Sequence, residues 1–304
     1  MRGLRRAIKN TQVWLACLIL GIFFLVAILA PVLAPPDDPA NPGTTRVVGR
    51  ARVGLPEPPS REALLGTTPG QLDVFYSVVW GTRSALRFGL VVTLITALIG
   101  TLLGAVSGYA GGFLHSLVLR ISDGFLAFPV LAAVWLIGQV MLPATVWDEP
   151  TQLMKIFLEL KLTPVLVALV LFSWMPYARL MSVNVRQLKR ADYVLAARAV
   201  GVRGSRIIRR HLLPNAMAPV IVVAARDVGA MVVMAAAFDF IGMGGGTVWG
   251  ELLTVGRDYV VGTGGNPLTY WWVFLPATLA LVLFGIGWNL LGDGLNAVLD
   301  PRLQ

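Results

Sequence analysis

The strongest constraint on this fold is a series of long apolar segments that carry almost no charge. The first lies between Asn10 and Pro36 and contains no charged residue. Its core, Val13–Leu33, is long enough to cross a bilayer, which takes about 20 residues, whereas the apolar region of a cleaved signal peptide spans only about 7–15 residues. We therefore expect a retained membrane anchor that begins on the cytoplasmic side.

Five further apolar segments follow, at roughly residues 86–110, 121–143, 163–183, 216–240 and 271–292. Only 13% of the 304 residues are charged, whereas an ordinary soluble domain is about one quarter charged. The sequence thus predicts an all-α, polytopic membrane protein with six transmembrane helices. With an even number of crossings, both chain ends lie in the cytoplasm.

The sequence between these segments divides the chain into three parts. Residues 1–34 hold a cytoplasmic tail and the first transmembrane helix. Residues 35–83 contain PPDDPANPG and PEPPS, and because proline at this density cannot sustain a helix, we expect an extended extracytoplasmic loop. Residues 84–304 form a five-helix core with a cytoplasmic loop at 185–215.

Basic residues are distributed unevenly between the two sides of this topology. Fourteen fall on predicted cytoplasmic segments and seven on predicted outer segments, which is the asymmetry of the positive-inside rule. The cytoplasmic set is Arg2, Arg5, Arg6, Lys9, Arg120, Arg186, Lys189, Arg190, Arg198, Arg203, Arg206, Arg209, Arg210 and Arg302, and the outer set is Arg46, Arg50, Arg52, Arg61, Lys155, Lys161 and Arg257. Membrane topology therefore accounts for the net charge of +9 without a nucleic-acid partner.

The cytoplasmic stretch ADYVLAARAVGVRGSRIIRRHLLPN, residues 191–215, is typical of a helical hairpin. Asp192–Val200 begins with an acid, contains good helix formers and is followed by Gly201, a residue suited to positive φ. Ser205 is expected to cap a second helix, and Pro214 marks the entry to the next span. Each helix has an apolar and a basic side. This pattern fits an amphipathic element on lipid headgroups as well as a docking element for a soluble partner.

Glycines at positions 100, 104, 108, 111 and 112 give the second span a face of small residues. Such a face permits close contact between membrane helices. The alternative is that glycine is simply common in membrane helices, and the sequence is compatible with both.

Two charges, Arg226 and Asp227, interrupt the fifth span. Each costs about 2.5–3.5 kcal/mol to insert near the bilayer centre, so positions facing lipid are unfavourable. Adjacent helical residues diverge by about 100°, so the two are poorly placed to neutralise each other. We expect them either to line a translocation pathway or to form an ion pair with a neighbouring subunit.

Sites for catalysis or metal binding are not expected in this chain. Cys17 is the only cysteine, and His115 and His211 are the only histidines, which is too few for a disulfide framework or a Cys/His metal site. No GxxxxGK[ST] phosphate loop and no HExxH pair occurs in the sequence.

The hairpin also resembles a known family. Ala196 and Ala197, then Gly201, then Leu213-Pro214 are arranged as in the EAA loop of type I ABC importer permeases, and YVLAARAVG…RIIRRHLLPNA resembles the dipeptide/oligopeptide branch. Leu195 stands where the loop usually has glutamate, and His211 where it usually has isoleucine. Further strings resemble the same branch in the same order over most of residues 65–304, among them GTRSALRFGL (81–90), RISDGFLAFP (120–129) and WGELLTVGRDY (249–259).

The resemblance implies the type I importer permease fold and a pore-forming subunit of an ATP-driven importer for peptides or related small solutes. The implied partners are a homologous permease that forms a heterodimer, two cytoplasmic ATPase subunits that bind ATP and magnesium, and an extracytoplasmic solute-binding protein. The complex would lie in the inner membrane of a prokaryote. The chain itself would hold no cofactor. The hairpin would couple the ATPases to the membrane helices through Asp192, Ala196, Ala197, Arg198, Gly201, Leu213 and Pro214.

Other transporter classes fit less well. A permease of the same family for a nickel complex or a sugar is the nearest alternative. A secondary transporter would be expected to show inverted repeats and more acids inside its spans. A channel needs a selectivity filter, and GMGGG at 242–246 is more simply explained as a turn at the outer end of a span.

Overall fold

The architecture comes from a computed structural model, which describes residues 10–39, 42–48, 55–141, 152, 155, 162–244, 246–262 and 265–299. Of the basic residues counted above, eight lie outside the described residues: Arg2, Arg5, Arg6, Lys9, Arg50, Arg52, Lys161 and Arg302.

The described chain is helical, and no strand occurs within it apart from two isolated bridges. The helices are α1 (Thr11–Leu33), α2 (Val74–Ala110), α3 (Gly112–Ala127), α4 (Val130–Met141), α5 (Pro164–Phe172), α6 (Met175–Leu188), α7 (Asp192–Ala199), α8 (Gly204–Ile207), α9 (Leu213–Phe240), α10 (Val248–Val260) and α11 (Trp271–Leu299). A π-helical turn, Ile208–Leu212, joins α8 to α9.

Five helical stretches are long and apolar enough to cross a membrane: α1, α2, α5 with α6, α8 through α9, and α11. A sixth crossing results if α3 and α4, which are bent by 85° at their junction, count as one span. Pro129 explains this break, because proline lacks an amide proton and disfavours helical backbone in the preceding residue. The all-α, multi-span fold predicted from the sequence is confirmed.

The second span begins earlier than its hydropathy indicates. The sequence predicts an apolar segment that begins at about residue 86, but α2 begins at Val74, where the Asp73 side chain accepts a hydrogen bond from the Tyr76 amide at 3.1 Å and caps the helix. Asp73 also forms an ion pair with Arg46 at 2.6 Å. The loop predicted at residues 35–83 therefore ends at Asp73, where it is tied to the start of α2.

The helix α2 crosses α6 at three glycines. An added Cβ would lie 2.3 Å from the Trp174 carbonyl oxygen at Gly100, 2.4 Å from that of Ala178 at Gly104, and 2.7 Å from that of Ser182 at Gly108. Only glycine permits backbones to approach so closely. The hypothesis that these small residues form a packing face is thus confirmed for positions 100, 104 and 108. A Cβ at Gly111 or Gly112 would meet no atom within 4 Å.

A second apolar centre joins α1, α10 and α11. The fully buried ring of Trp249 lies 5.9 Å from that of Phe23 and 5.7 Å from that of Phe284. Its indole Nε1 donates to the Val78 carbonyl of α2 at 3.1 Å. The helix α10 is thereby fixed against three spans at the end of the bundle opposite the hairpin.

Replacement of Gly104 by alanine tests the helix crossing. A methyl group there meets backbone atoms, so Gly104→Ala should destabilise the protein by about 1–3 kcal/mol, as overpacked cores do, and should lower the melting temperature measured in detergent. Gly21→Ala is the matched control, because a Cβ at Gly21 meets nothing within 4 Å. Equal melting temperatures for the two variants would contradict the close approach of α2 and α6.

Candidate functional site

The predicted hairpin is present and turns at Gly201. α7 ends in a Schellman motif, in which the Val202 amide donates to the Ala197 carbonyl at 3.1 Å and the Gly201 amide to the Arg198 carbonyl at 2.9 Å. Gly201 takes a φ of 78°, which confirms the conformation predicted for it. The prediction for Ser205 is wrong: α8 begins at Gly204 without a side-chain cap, so that Ser205 lies inside the helix.

The apolar side of the hairpin packs against the chain's own membrane helices. Val194, Ile207 and Leu212 are fully buried, and they share one cluster with Tyr177 and Met181 of α6. The headgroup hypothesis requires this apolar side to be available to lipid. Since the side is already covered, the arrangement favours a rigid extension of α6 and α9 over a helix that rests on the bilayer surface.

Tyr109, at the end of α2, holds the hairpin from the other side. The guanidinium carbon of Arg198 lies 5.1 Å from the centre of the Tyr109 ring, a cation–π contact. The Lys189 ammonium donates to the Tyr109 carbonyl at 2.5 Å, and a Cβ on Gly204 would come within 2.9 Å of the ring. Sequence reasoning missed Tyr109, although its position beside the glycine face places it where α2 must meet the hairpin.

The outer surface of the hairpin is a small apolar tip beside a basic patch. Leu195 is 49% exposed and Val200 is 79% exposed, and Ala196 and Ala199 are exposed between them. We call these four residues the hairpin tip. Four exposed arginines lie beyond the turn: Arg203, Arg206, Arg209 and Arg210. An exposed apolar tip on a rigid support is typical of a protein contact.

The predicted coupling residues fall into two groups. Asp192, Ala196, Ala197, Arg198 and Gly201 lie in α7 and its terminal turn, where Asp192 and Ala196 are exposed and Ala197 and Arg198 are half-buried. Leu213 and Pro214 lie at the start of α9, beyond the π-helical turn. The second group belongs to the support of the hairpin and not to its tip.

A cavity of about 340 Å³, which we call the hairpin cavity, lies between the hairpin and the end of α2. Its lining includes Arg186, Lys189, Arg190 and Arg198. Burial, followed by repulsion from Arg198 and Arg186, lowers the pKa of Lys189. The hairpin root is therefore a concentrated positive field that suits an acidic partner surface.

Arg226 and Asp227 each have a partner within the chain. Arg226 forms an ion pair with Asp293 of α11, and the two side chains are 44% and 42% exposed. Asp227 accepts a hydrogen bond of 2.6 Å from the hydroxyl of Tyr177 in α6, a fully buried residue. The two adjacent charges thus diverge to different helices. Sequence reasoning missed both partners, because Asp293 and Tyr177 lie 67 and 50 residues away in the chain.

Tyr177 belongs to two features at once. Its ring is a member of the cluster that buries Val194 of the hairpin, while its hydroxyl binds Asp227 in the membrane. One side chain therefore connects the hairpin with the charged centre of α9. Among the described residues, no group of three or more His, Cys, Asp or Glu side chains is placed to hold a metal ion.

Comparison with known proteins identifies the relatives of this architecture. The family model described as "Binding-protein-dependent transport system inner membrane component" matches residues 100–304. The dipeptide transport system permease protein DppC of Bacillus subtilis is 31% identical, over 99% of this chain and 85% of that protein. DppC of Alkalihalophilus pseudofirmus is 29% identical over 97% of this chain and 88% of that protein. The oligopeptide transport system permease protein OppC of B. subtilis is 28% identical over 97% and 87% of the two chains.

The ion pair between Arg226 and Asp293 is testable by a double-mutant cycle. Arg226→Met leaves Asp293 without its counter-charge, so it should lower the melting temperature of the purified protein, and Asp293→Asn in the same chain should restore part of the loss. We expect a coupling energy of about 0.5–2 kcal/mol, the range for polar pairs between membrane helices. Additive effects of the two substitutions would show that the pair contributes nothing.

Proposed function

This chain belongs to the family of binding-protein-dependent transport system inner membrane components, and we propose that it is the pore-forming permease of an ATP-driven peptide importer. As a member of that family with several membrane-spanning helices, it is a multi-pass inner-membrane protein. Peptide as the solute is supported by the relatives, which are named as dipeptide and oligopeptide permeases over nearly the whole length of this chain. The same relatives favour peptide over a nickel complex or a sugar.

The proposed complex contains a homologous permease as heterodimer partner, two cytoplasmic ATPase subunits and an extracytoplasmic solute-binding protein. ATP and magnesium are bound by the ATPases. In this assembly both termini of the chain lie in the cytoplasm, on the same side as the hairpin.

The observation that carries the proposal is the construction of the hairpin. Its inner side is fixed to α6 and α2 through Val194, Ile207 and Tyr109, while its tip stays exposed. A displacement of the tip therefore moves the membrane helices directly, because no flexible linker lies between them. We propose that closure of the ATPases moves the tip, and that Tyr177 passes the displacement to Asp227 and hence to α9.

Arg226 and Asp227 remain our candidates for the wall of the translocation pathway. The Arg226 side chain is 44% exposed even while it is paired with Asp293, so a passing solute has access to it. Arg226→Met and Asp227→Asn, made singly, distinguish this role from a structural one. A pathway role predicts an assembled complex with altered uptake or substrate preference, whereas a structural role predicts loss of the complex.

Reconstitution tests the function directly. The complete complex in proteoliposomes should accumulate a radiolabelled dipeptide only when ATP is present, and ATP hydrolysis should rise when the binding protein is loaded. The isolated chain should hydrolyse no ATP, because its sequence contains no phosphate loop. Hydrolysis by the pure isolated chain, or ATP-independent accumulation, would contradict the proposal.

Substitution at Gly201 tests the role of the hairpin. Gly201→Leu forces a branched side chain into positive φ, which costs about 1–2 kcal/mol, and should reduce ATP-driven uptake while the protein stays in the membrane. Gly201→Asn should retain more uptake, because asparagine tolerates this conformation.

Ser205→Leu is the control for added bulk, since Ser205 is exposed inside α8 and lies outside the hairpin tip. A lipid-bound hairpin predicts that both leucine variants transport normally, because added leucine strengthens lipid contact. Normal uptake by a stably expressed Gly201→Leu complex would therefore contradict a role of the hairpin in coupling.

A further inference from the structure

Two cavities of opposite charge adjoin at the end of the bundle opposite the hairpin. Each has a volume of about 410 Å³. They share three lining residues, Thr44, Ser84 and Gly246, and are therefore neighbours with a common wall. We call them the acidic cavity, which contains Asp239 and Glu251, and the basic cavity, which contains Arg83 and Arg87.

The acidic cavity is built around a fixed carboxylate. Asp239 is only 4% exposed and accepts hydrogen bonds from the amides of Gly246 at 3.0 Å and Thr247 at 2.8 Å. The turn that supplies these donors follows α9 at the glycines singled out in the sequence, and Gly242 takes a φ of 90° there. The hypothesis that this segment is a turn is confirmed for its described residues, which exclude position 245.

The acidic cavity holds a second acidic side chain. Glu251 lies in the first turn of α10, and in the described part of the chain no lysine or arginine lines the cavity with it. Burial, followed by repulsion from Asp239, raises the pKa of Glu251. A cationic group in this cavity would relieve both effects, because an opposite charge favours the ionised carboxylate.

The basic cavity contains two arginines and, among its described lining residues, no acid. Arg83 and Arg87 are exposed on α2 and lie one helical turn apart on the same face. The guanidinium of Arg83 is held 5.1 Å from the ring centre of Trp80. Among the described residues, neither arginine has a carboxylate within 4.0 Å, and no acid lines this cavity. Two guanidinium groups without a counter-ion favour a carboxylate ligand.

We propose that the two cavities form one binding site for a zwitterion with free termini, such as a dipeptide, on its way into the translocation pathway. The ammonium group lies between Asp239 and Glu251, and the carboxylate contacts Arg83 and Arg87. The hydroxyls of Thr44 and Ser84, on the common wall, face the peptide group between the two poles. This site rests on the proposed import of peptides and assigns that solute an entry point on the side away from the ATPases.

A protection experiment measures binding without transport. In a Cys17→Ala background, Ser84→Cys places the only thiol of this chain on the common wall. A small neutral maleimide, followed on this chain, reports the accessibility of that thiol in the assembled complex in nanodiscs, without binding protein or ATP. Alanyl-alanine should slow labelling in a saturable way. N-acetyl-alanyl-alanine and alanyl-alanine amide should need roughly tenfold higher concentrations for half-maximal protection, because each lacks the charge-assisted hydrogen bonds of one terminus.

Two variants test the ammonium end and the carboxylate end of the peptide separately. Glu251→Gln should abolish the advantage of the free ammonium group, and Arg87→Gln should abolish that of the free carboxylate. Thr44→Cys is a second reporter on the same wall, in case Ser84→Cys does not fold. Glu62→Cys is the control, because Glu62 is exposed on the outer loop and lines neither cavity.

Equal protection by the free and capped peptides, or no protection at either wall position, would overturn the site. Protection by the unloaded binding protein but not by the peptide would also overturn it, because the cavities would then be a docking surface. The outcome is separate from that of the proposed function. Peptide import without protection would contradict only the proposed site. Protection without ATP-driven import would contradict the proposed function but not the site.

Discussion

The close approach of α2 and α6 is the constraint on which the rest of the structure depends. At Gly100, Gly104 and Gly108 the two backbones are so near that no Cβ fits between them. This contact fixes the ends of the two helices that lie nearest the hairpin relative to each other. Since α6 leads into the hairpin and α2 ends at Tyr109, which receives it, the glycine face sets the position of the hairpin as well.

The charges of the molecule are arranged along the same axis. At the hairpin end, Arg198 and Lys189 contact Tyr109, and the hairpin tip remains exposed. In the middle, Tyr177 and Asp293 neutralise or bind the charged groups that interrupt α9. At the far end, two cavities keep their acidic and basic groups apart. A polar group without a partner is costly inside a membrane, which explains why Arg226 and Asp227 each have a partner within the chain.

Much of what depends on local pattern could be predicted from the sequence. Apolar segments predicted the spans, Gly201 predicted the turn of the hairpin, and the spacing of glycines predicted a close packing face. Sequence reasoning failed where a distant residue decides the outcome. Asp293 and Tyr177 provide partners for Arg226 and Asp227 that no local window contains. The early start of α2 has a local signal, the Asp73 cap, which hydropathy does not detect. The prediction that Ser205 caps α8 was wrong because the helix begins at Gly204, two residues before the start that a cap at Ser205 implies, and has no side-chain cap.

The central claim is that the hairpin tip is the surface on which an ATPase acts, and site-specific cross-linking tests it most directly. Val200→Cys, in a Cys17→Ala background, exposes one thiol at a position that is 79% exposed in this chain. In the co-expressed complex, a short thiol-specific photo-cross-linker at this position should yield a covalent product with the ATPase subunit. Val194→Cys, at a fully buried position, should yield none. Cross-linking of Val200→Cys to lipid alone, in a complex that contains the ATPases, would contradict the account.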